Sequence, residues 1–383
     1  MGREGTVRLG ALDGLRGIAA LGIVVLHVWM FDHGDAHGGF DPRTAPDMAI
    51  NELRLGVVLF FVLSGFLLYR PFLAAAHGER PFPGLRAYAQ RRAARVLPAY
   101  WFALAGSYAL LTWLDHPLRA TSGDLPVFLV FGQNYLADTA KHLDPPMWSL
   151  AVEVSFYAAL PAVGYLALRA GPRRGAQLAL CGGLALAGVA YTALSVAHGW
   201  PWTATATLPI HLSEFAAGMA VAVLLHRRGL SRRAGVALMA AGAALVAGDA
   251  AWHALAADPS TPLRVVRDLP AALGFALVVA AVAGAPLRSR ALVAAPVRAL
   301  GTISYALYLW HYVAIMYLRA RGQWPADMAA ALVLTLALSL PVSALSWFAV
   351  ERPALRWARR REHARRRREH ARRRPRLATA EAG

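Results

Sequence analysis

A histidine, a glutamate and an arginine lie within stretches of this chain that are otherwise apolar enough to cross a lipid bilayer. They are His27, Glu153 and Arg16. An arginine at the centre of a membrane helix costs roughly 2.5–3.5 kcal/mol on insertion scales, so such groups are retained where they face other protein or a water-filled cavity. The sequence therefore predicts a polar site inside a membrane protein, at which an imidazole and a carboxylate could carry out acid–base chemistry.

The spacing of these residues predicts that His27 and Glu153 lie at comparable depth. At a rise of about 1.5 Å per residue, His27 lies about 16 Å beyond Arg16 on approximately the same helix face. Glu153 lies about 8 Å below the opposite boundary by the same rise. A buried imidazole and carboxylate at one depth make a plausible acid–base pair, and a structural polar pair is the alternative. Flanking residues predicted to contact substrate are Trp148, Ser149 and Tyr157.

Two further polar residues of the apolar stretches, Ser64 and Glu214, are predicted to contact substrate. Ser64 precedes Gly65, and glycine permits close approach of helices while serine can bond across them. No Gly-x-Ser-x-Gly elbow surrounds Ser64, which argues against a nucleophilic role. Glu214 is a buried carboxylate for which a structural role is equally consistent with the sequence.

A run of polar and aromatic residues, 304–311, opens the ninth apolar stretch. Ser304, Tyr308 and His311 share one helix face. His311 lies about 18 Å from the inner boundary of the membrane at the helical rise. Taken alone, His311 fits a core histidine; with its neighbours we predict Tyr305 and His311 as substrate-binding residues.

A dense basic cluster, Arg91, Arg92 and Arg95, precedes the third apolar stretch. The cluster could be a topology anchor or a phosphate site. Because guanidinium groups pair closely with phosphates, we predict that these residues bind the phosphates of a cytosolic cofactor. The sequence contains no Walker-type run and no His-Glu-x-x-His spacing, so neither nucleotide hydrolysis nor a metal is predicted.

The composition is that of a membrane protein. The chain has 383 residues, of which 57% are hydrophobic, and a mean hydropathy of +0.41. Its single cysteine, Cys181, excludes an intrachain disulfide. The net charge is +18, but the basic residues lie between apolar stretches and in the tail. We therefore predict contact with a lipid bilayer and not with nucleic acid.

Apolar runs of about 20 residues predict an all-α fold with ten transmembrane helices. With the N-terminus in the cytosol, 32 of the 40 Lys and Arg residues fall in cytosolic segments, so the positive-inside rule predicts that both termini are cytosolic. An additional short or re-entrant segment is predicted around Pro126–Tyr135. The predicted spans are approximately 10–31, 55–74, 97–115, 148–168, 176–197, 207–226, 234–255, 268–285, 299–319 and 327–350.

Two regions are predicted, a membrane domain at 1–353 and a disordered, basic cytoplasmic tail at 354–383. The tail contains a direct repeat, in which residues 360–366 are followed at once by the same seven residues. Anionic lipid attracts such cations by roughly 1 kcal/mol each, and this interpretation is preferred over DNA binding.

Together these motifs resemble the acyltransferase-3 family of integral membrane O-acyltransferases. The matching pieces occur in the family's order: Leu12–Arg16 with His27, Phe60–Phe66, Arg91–Tyr100, Trp148–Glu153, Ser304–His311 and Glu351–Pro353. The resemblance implies a multi-pass enzyme of the bacterial cytoplasmic membrane. It also implies transfer of an acyl group, such as acetyl, from cytosolic acyl-CoA as co-substrate, with Arg16 and His27 as the essential pair. On this resemblance we predict His27 as general base, with Glu153 orienting or charging the imidazole or contacting the acceptor. Arg16 is predicted to bind phosphate or pantetheine, or to pair with a nearby carboxylate.

The implied acceptor is a small molecule or glycan: a hydroxyl of a carbohydrate, a glycolipid or a polyketide such as a macrolide. Some family members add a soluble SGNH hydrolase-like domain, whereas only 32 residues follow Glu351 here, so we expect a compact member that acylates its acceptor directly. The main rival is a transporter or exporter of an acylated or glycosylated product, because buried His, Glu and Arg also suit a proton relay. Against the rival, the two halves show no internal repeat. The sequence leaves the oligomeric state open.

Overall fold

The computed structural model describes residues 3–33, 44–140, 142–255, 261–287, 289–362 and 364, and within them it contains helices and no strand. A π-helical turn, Trp347–Glu351, continues the last long helix, and further helical turns reach Glu362. The first residues of the predicted tail belong to this extension, whereas 365–383 lie outside the described residues. The long helices are α1 Arg3–His33, α2 Gly56–Ala76, α3 Leu85–Trp113, α4 Trp148–Ala170, α5 Arg174–Ala197, α6 Leu208–Leu225, α7 Arg232–Leu255, α8 Leu269–Gly284, α9 Ala295–Ala320 and α10 Met328–Ser346.

Nine helical segments of the described chain are long and apolar enough to cross a membrane, which confirms the prediction of an all-α, multi-pass membrane protein. Nine of the ten predicted spans correspond to these segments. The remaining span, 97–115, forms the second half of α3. The first half of α3 carries the basic cluster, and Pro98, Tyr100 and Trp101 make the second half less apolar. Helix α3 is therefore not among the nine segments that are long and apolar enough to cross a membrane.

The connection between α3 and α4 contains the short segment predicted near Pro126–Tyr135. It forms a five-residue helix, Leu125–Leu129, which is too short to cross a bilayer. The Tyr100 hydroxyl donates to the carbonyl of Phe128 at 2.7 Å. The segment therefore packs against α3 without spanning.

Close approach of α1 and α9 brings two of the polar stretches together. A Cβ atom on Gly301 would collide with the backbone carbonyl of Asp13. A Cβ on Gly17 would lie 2.7 Å from backbone atoms of Gly301 and Val297. Glycine at both positions permits this separation, so the glycines of the first motif serve helix packing.

Helix α2 lies between α4 and α6 and is buried along most of its length. As the Ser64–Gly65 pair predicts, Gly65 makes a close approach: a Cβ there would collide with the backbone carbonyl of Phe215 on α6. Helices α5 and α7 lie at the periphery, with large apolar side chains such as Leu186 exposed. The polar residues of α1, α2, α4 and α9 are thus held in the interior of the bundle.

An ion-pair network joins the start of α2 to α7 and α8. Arg54 donates to Asp268 at 2.7 Å and to Glu52 at 2.8 Å. His253 Nδ1 lies 3.6 Å from carboxylate oxygens of both Glu52 and Asp249. The network links three helices at one end of the bundle.

Candidate functional site

A cavity of about 50 Å³ between α1, α2, α4 and α9 collects many of the predicted polar residues, and we call it the central cavity. Side chains that are distant in the sequence therefore face one space. The lining comprises Arg16, Val57, Phe60, Phe61, Ser149, Leu150, Glu153, Ser304, Tyr305 and Tyr308.

Hydrogen bonds hold the carboxylate of Glu153 at the central cavity. The Ser64 hydroxyl donates to Glu153 Oε1 at 2.6 Å, and the Tyr157 side chain bonds to the same carboxylate. Arg16 lies within electrostatic range of Glu153. Its Nε atom has no hydrogen-bond partner among the described residues. An anchored carboxylate and a guanidinium with a free donor thus face the same space.

His27 and His311 form a hydrogen-bonded pair whose tautomers follow from a third contact. His27 Nδ1 lies 2.8 Å from His311 Nε2, and the two rings stack. His311 Nδ1 lies 3.0 Å from the carbonyl oxygen of Leu307. A carbonyl only accepts, so this Nδ1 carries the hydrogen and Nε2 of a neutral His311 is an acceptor. His27 Nδ1 must therefore donate, which leaves the lone pair on His27 Nε2.

The histidine pair adjoins the central cavity through Tyr308. The rings of Tyr308 and His311 lie 5.8 Å apart. The Tyr308 hydroxyl donates to the carbonyl of Pro146 at 2.7 Å and lies 2.7 Å from Ser149 Oγ. His311 is fully buried, whereas His27 is only partly buried. His27 is therefore the more exposed of the two histidines.

His27 and Glu153, which the sequence predicts as a pair, belong to two adjacent groups of polar side chains in the structure. Among the described residues, no hydrogen bond joins the two side chains: His27 bonds to His311, and Glu153 bonds to Ser64. The contact that orients the His27 imidazole is thus made by His311. Glu153 lines the central cavity.

Tyr308 is a cavity residue that the predicted site set omits. It lies three residues before His311 and four after Ser304, on the helix face that the sequence already identifies. Its hydroxyl connects α9 to the start of α4. The shared helix face was the signal that could have included it.

Trp148 and Glu214 belong to a neighbouring group around His211. His211 Nδ1 lies 3.0 Å from Glu214 Oε1, and its ring centroid lies 5.4 Å from that of Trp148. Phe61, which lines the central cavity, lies 5.0 Å from the same imidazole ring. Trp148 and Glu214 are therefore one layer of side chains away from the central cavity.

Two of the three clustered arginines are ion-paired with the extension of α10. Arg91 lies 3.3 Å from Glu362, and Arg95 lies 3.4 Å from the buried Glu351. The guanidinium of Arg92 lies over the Tyr157 ring, and the described residues provide it with no ion-pair partner. The cluster thus anchors α3 to the chain end, and Arg92 is the member whose charge is not matched by a carboxylate.

We expect Arg95→Gln to destabilise the protein far more than Arg91→Gln. Removing one partner of a buried ion pair leaves an uncompensated charge, at a cost of about 3–5 kcal/mol, and Glu351 would be left in that state. The pair made by Arg91 is more exposed and contributes about 0–1 kcal/mol. Thermal unfolding of the purified variants measures both effects. The double variant Arg95→Gln/Glu351→Gln should recover most of the loss, and equal melting temperatures for the two single variants would contradict the prediction.

Comparison with known proteins identifies relatives along nearly the whole chain. The family model described as "Acyltransferase domain" matches residues 9–347. The chain is 28% identical to Acyltransferase MdmB of Streptomyces mycarofaciens, over 98% of this chain and 99% of the relative. It is 29% identical to a Komagataeibacter xylinus protein provisionally named the membrane-bound transacylase BcsY, over 91% and 83% of the two chains.

A shorter match covers part of larger proteins. A protein of Staphylococcus aureus, provisionally named an O-acetyltransferase, is 30% identical over 40% of this chain and 24% of the relative. No solved structure matches the chain significantly.

Proposed function

We propose, from the premise that this chain belongs to the acyltransferase domain family, that it transfers an acyl group from acyl-CoA to a hydroxyl group of its acceptor. The observation that carries the proposal is the His27–His311 pair beside the central cavity. The pair presents a basic nitrogen, His27 Nε2, on the partly accessible histidine. A thioester is already activated, so the reaction needs a base for the alcohol and stabilisation of an oxyanion.

In the proposed reaction, His27 Nε2 takes the proton of the acceptor hydroxyl as its oxygen attacks the thioester carbonyl. A carbon–oxygen bond forms, and the carbonyl oxygen becomes an oxyanion. When this intermediate collapses, the carbon–sulfur bond breaks and the imidazolium returns the proton to the CoA thiolate. The products are an ester and free CoA, and His27 is restored to its starting tautomer by the bond to His311.

Arg16 and Glu153 contribute opposite charges to the same reaction. The unpaired Nε–H group of Arg16 would stabilise the oxyanion or bind the amide groups of the pantetheine arm of acyl-CoA. Glu153, positioned by Ser64 and Tyr157, would accept hydrogen bonds from the acceptor. Ser149 and Tyr305 line the central cavity and would contact the substrates directly. No step of this route requires a metal ion.

A carbohydrate, glycolipid or polyketide acceptor is supported by the character of the central cavity. Aromatic side chains and polar groups share its lining, which suits an acceptor that is apolar in part and carries hydroxyls. A bacterial cytoplasmic membrane is supported by the bacterial sources of the relatives, and O-acylation by the name of the staphylococcal relative.

The test is acyl transfer by purified protein in lipid nanodiscs. Labelled acetyl-CoA is supplied with candidate acceptor extracts, and free thiol and labelled ester are measured together by mass spectrometry. We expect acceptor-dependent release of free CoA and an equal amount of ester. A transporter would move the acylated product across a vesicle membrane and release no thiol, and that result would overturn the proposal.

We expect both chain termini to be cytosolic, because most basic residues lie on the side of the N-terminus. In a Cys181→Ala background, which has no other cysteine, Ser122→Cys should react with a membrane-impermeant maleimide in intact cells. Ser231→Cys should react only after the membrane is opened. Both positions are exposed, so access to the reagent depends on the side of the membrane. The reverse labelling pattern would contradict the predicted topology.

A further inference from the structure

A second and larger cavity lies at the end of the bundle where α1 begins and α2 ends. It has a volume of about 660 Å³ and opens to solvent, and segments from α1, α2, α6 and α8 surround it. The positive-inside rule assigns this end to the cytosol. We call it the basic cavity because its lining includes four arginines: Arg70, Arg80, Arg227 and Arg228.

Glu79 is the one carboxylate in the described lining of the basic cavity, and it is already engaged. Arg227 Nε donates to Glu79 Oε1 at 2.5 Å, and His226 lies 3.0 Å from the same oxygen. Partial burial acts to raise the pKa of Glu79, but the bond from Arg227 and the charge of His226 lower it overall. Glu79 is therefore ionised and neutralises Arg227.

The other three arginines have no such partner. The guanidinium of Arg70 lies over the Phe66 ring at 5.5 Å, and its lining neighbours Arg80 and Arg228 are exposed. Within the part of the chain that the structure describes, none of the three forms an ion pair. The basic cavity thus presents uncompensated guanidinium groups, which bind phosphate in a bidentate manner. In the Arg91–Arg95 cluster, by contrast, two of three arginines are matched by carboxylates.

The basic cavity and the central cavity follow one another along the same two helices. On α1, Leu12 lines the basic cavity and Arg16 the central cavity, about 6 Å further along the axis. On α2, Phe66 lines the basic cavity and Phe61 the central cavity. The two cavities are therefore neighbours along the bundle axis, as a donor that binds by its phosphates in one and reacts in the other would require.

We propose that the basic cavity binds the phosphates of the donor's nucleotide, with Arg70, Arg80 and Arg228 as ligands. The identity of this donor as acyl-CoA rests on the proposed function. The chemistry recognised is that of a phosphate ester, which an anionic lipid headgroup also carries, so the experiment separates these two sources.

The test measures binding of radiolabelled CoA, and of adenosine 3′,5′-bisphosphate as a nucleotide probe, to the full-length protein in nanodiscs of neutral lipid. Arg70→Gln/Arg228→Gln should weaken both by roughly 10-fold or more, because charge-assisted bonds to phosphate are lost. The single variant Arg80→Gln should weaken them in the same direction. Arg232→Gln/Arg233→Gln removes equal charge at the same end of the bundle but outside the lining, and should bind as the wild type does.

Unchanged CoA binding in the Arg70/Arg228 and Arg80 variants would overturn the proposal. A loss of CoA binding seen only in Arg92→Gln would also overturn it, because the phosphate site would then be the arginine cluster of α3. The same variants could instead bind CoA normally but bind soluble phosphatidylglycerol in neutral nanodiscs more weakly. That result would identify the cavity as a lipid site and would also overturn the proposal. Wild-type protein that binds CoA in this cavity but transfers no acyl group would contradict the proposed function alone. Normal transfer with an unchanged KM for acyl-CoA in the variants would contradict the binding site alone.

Discussion

Replacing His27 with alanine is expected to lower acyl transfer by about 10²–10⁴-fold, which is the usual contribution of a general base. The variant should remain folded and inserted, because His27 is only partly buried and its removal leaves the glycine-mediated packing of α1 on α9 in place. The measurement is the initial rate of thiol release from acyl-CoA with a saturating acceptor. Gel filtration and thermal unfolding report on folding in the same preparation.

The control for this variant is His33→Ala. His33 lies on the same helix and is exposed, so its loss should leave turnover close to that of the wild type. If well-folded His27→Ala turns over at a near-wild-type rate, His27 has no part in the mechanism. If His33→Ala loses as much activity, the effect belongs to α1 and not to the imidazole.

Position 311 is expected to accept glutamine far better than phenylalanine. In the structure, His311 Nε2 accepts the hydrogen bond that fixes His27 as the tautomer with a basic Nε2. A glutamine carbonyl can accept the same bond, whereas phenylalanine cannot. Mis-setting the tautomer of a catalytic histidine lowers kcat by up to about 10⁴-fold in the serine protease triad. We expect a loss of about 10²–10⁴-fold in kcat for His311→Phe and a much smaller loss for His311→Gln.

The split between kcat and KM distinguishes this positioning role from the substrate contact that the sequence predicts for His311. A positioning residue lowers kcat with little effect on the acceptor KM, whereas a substrate contact made equally in the ground state raises KM. Because His311 is fully buried, rates are expressed per folded molecule as measured by thermal unfolding. Equal kcat values for the glutamine and phenylalanine variants would remove His311 from the orientation of His27.

The class of fold follows from the sequence by itself. A run of about 20 apolar residues must satisfy its backbone hydrogen bonds internally in lipid, so each run can only become a helix. The same cost explains why polar positions such as Arg16 and Glu153 could be placed in the interior before any helix was packed: a buried charge in a membrane helix is kept where it faces protein or a cavity. Both line the central cavity.

The tertiary structure alone decided which polar groups meet. Depth along a helix can be counted from the sequence, and it placed His27 and Glu153 at one level. Depth does not determine which faces of two helices are in contact. That choice depends on where backbones can approach: Gly17 and Gly301 bring α1 onto α9, so His27 meets His311, which is 284 residues away, while Glu153 is bonded by Ser64.

The arginines show the same division between sequence and structure. Their side of the membrane follows from the distribution of basic residues, which is a property of the sequence. Whether an arginine is free to bind a phosphate depends on whether a carboxylate from a distant helix already pairs with it. Arg95 is matched by Glu351 from the extension of α10, whereas Arg70 and Arg228 face an open cavity without a carboxylate of their own. Packing decides this because an ion pair needs a few ångströms of proximity, and only the folded bundle brings such distant residues that close.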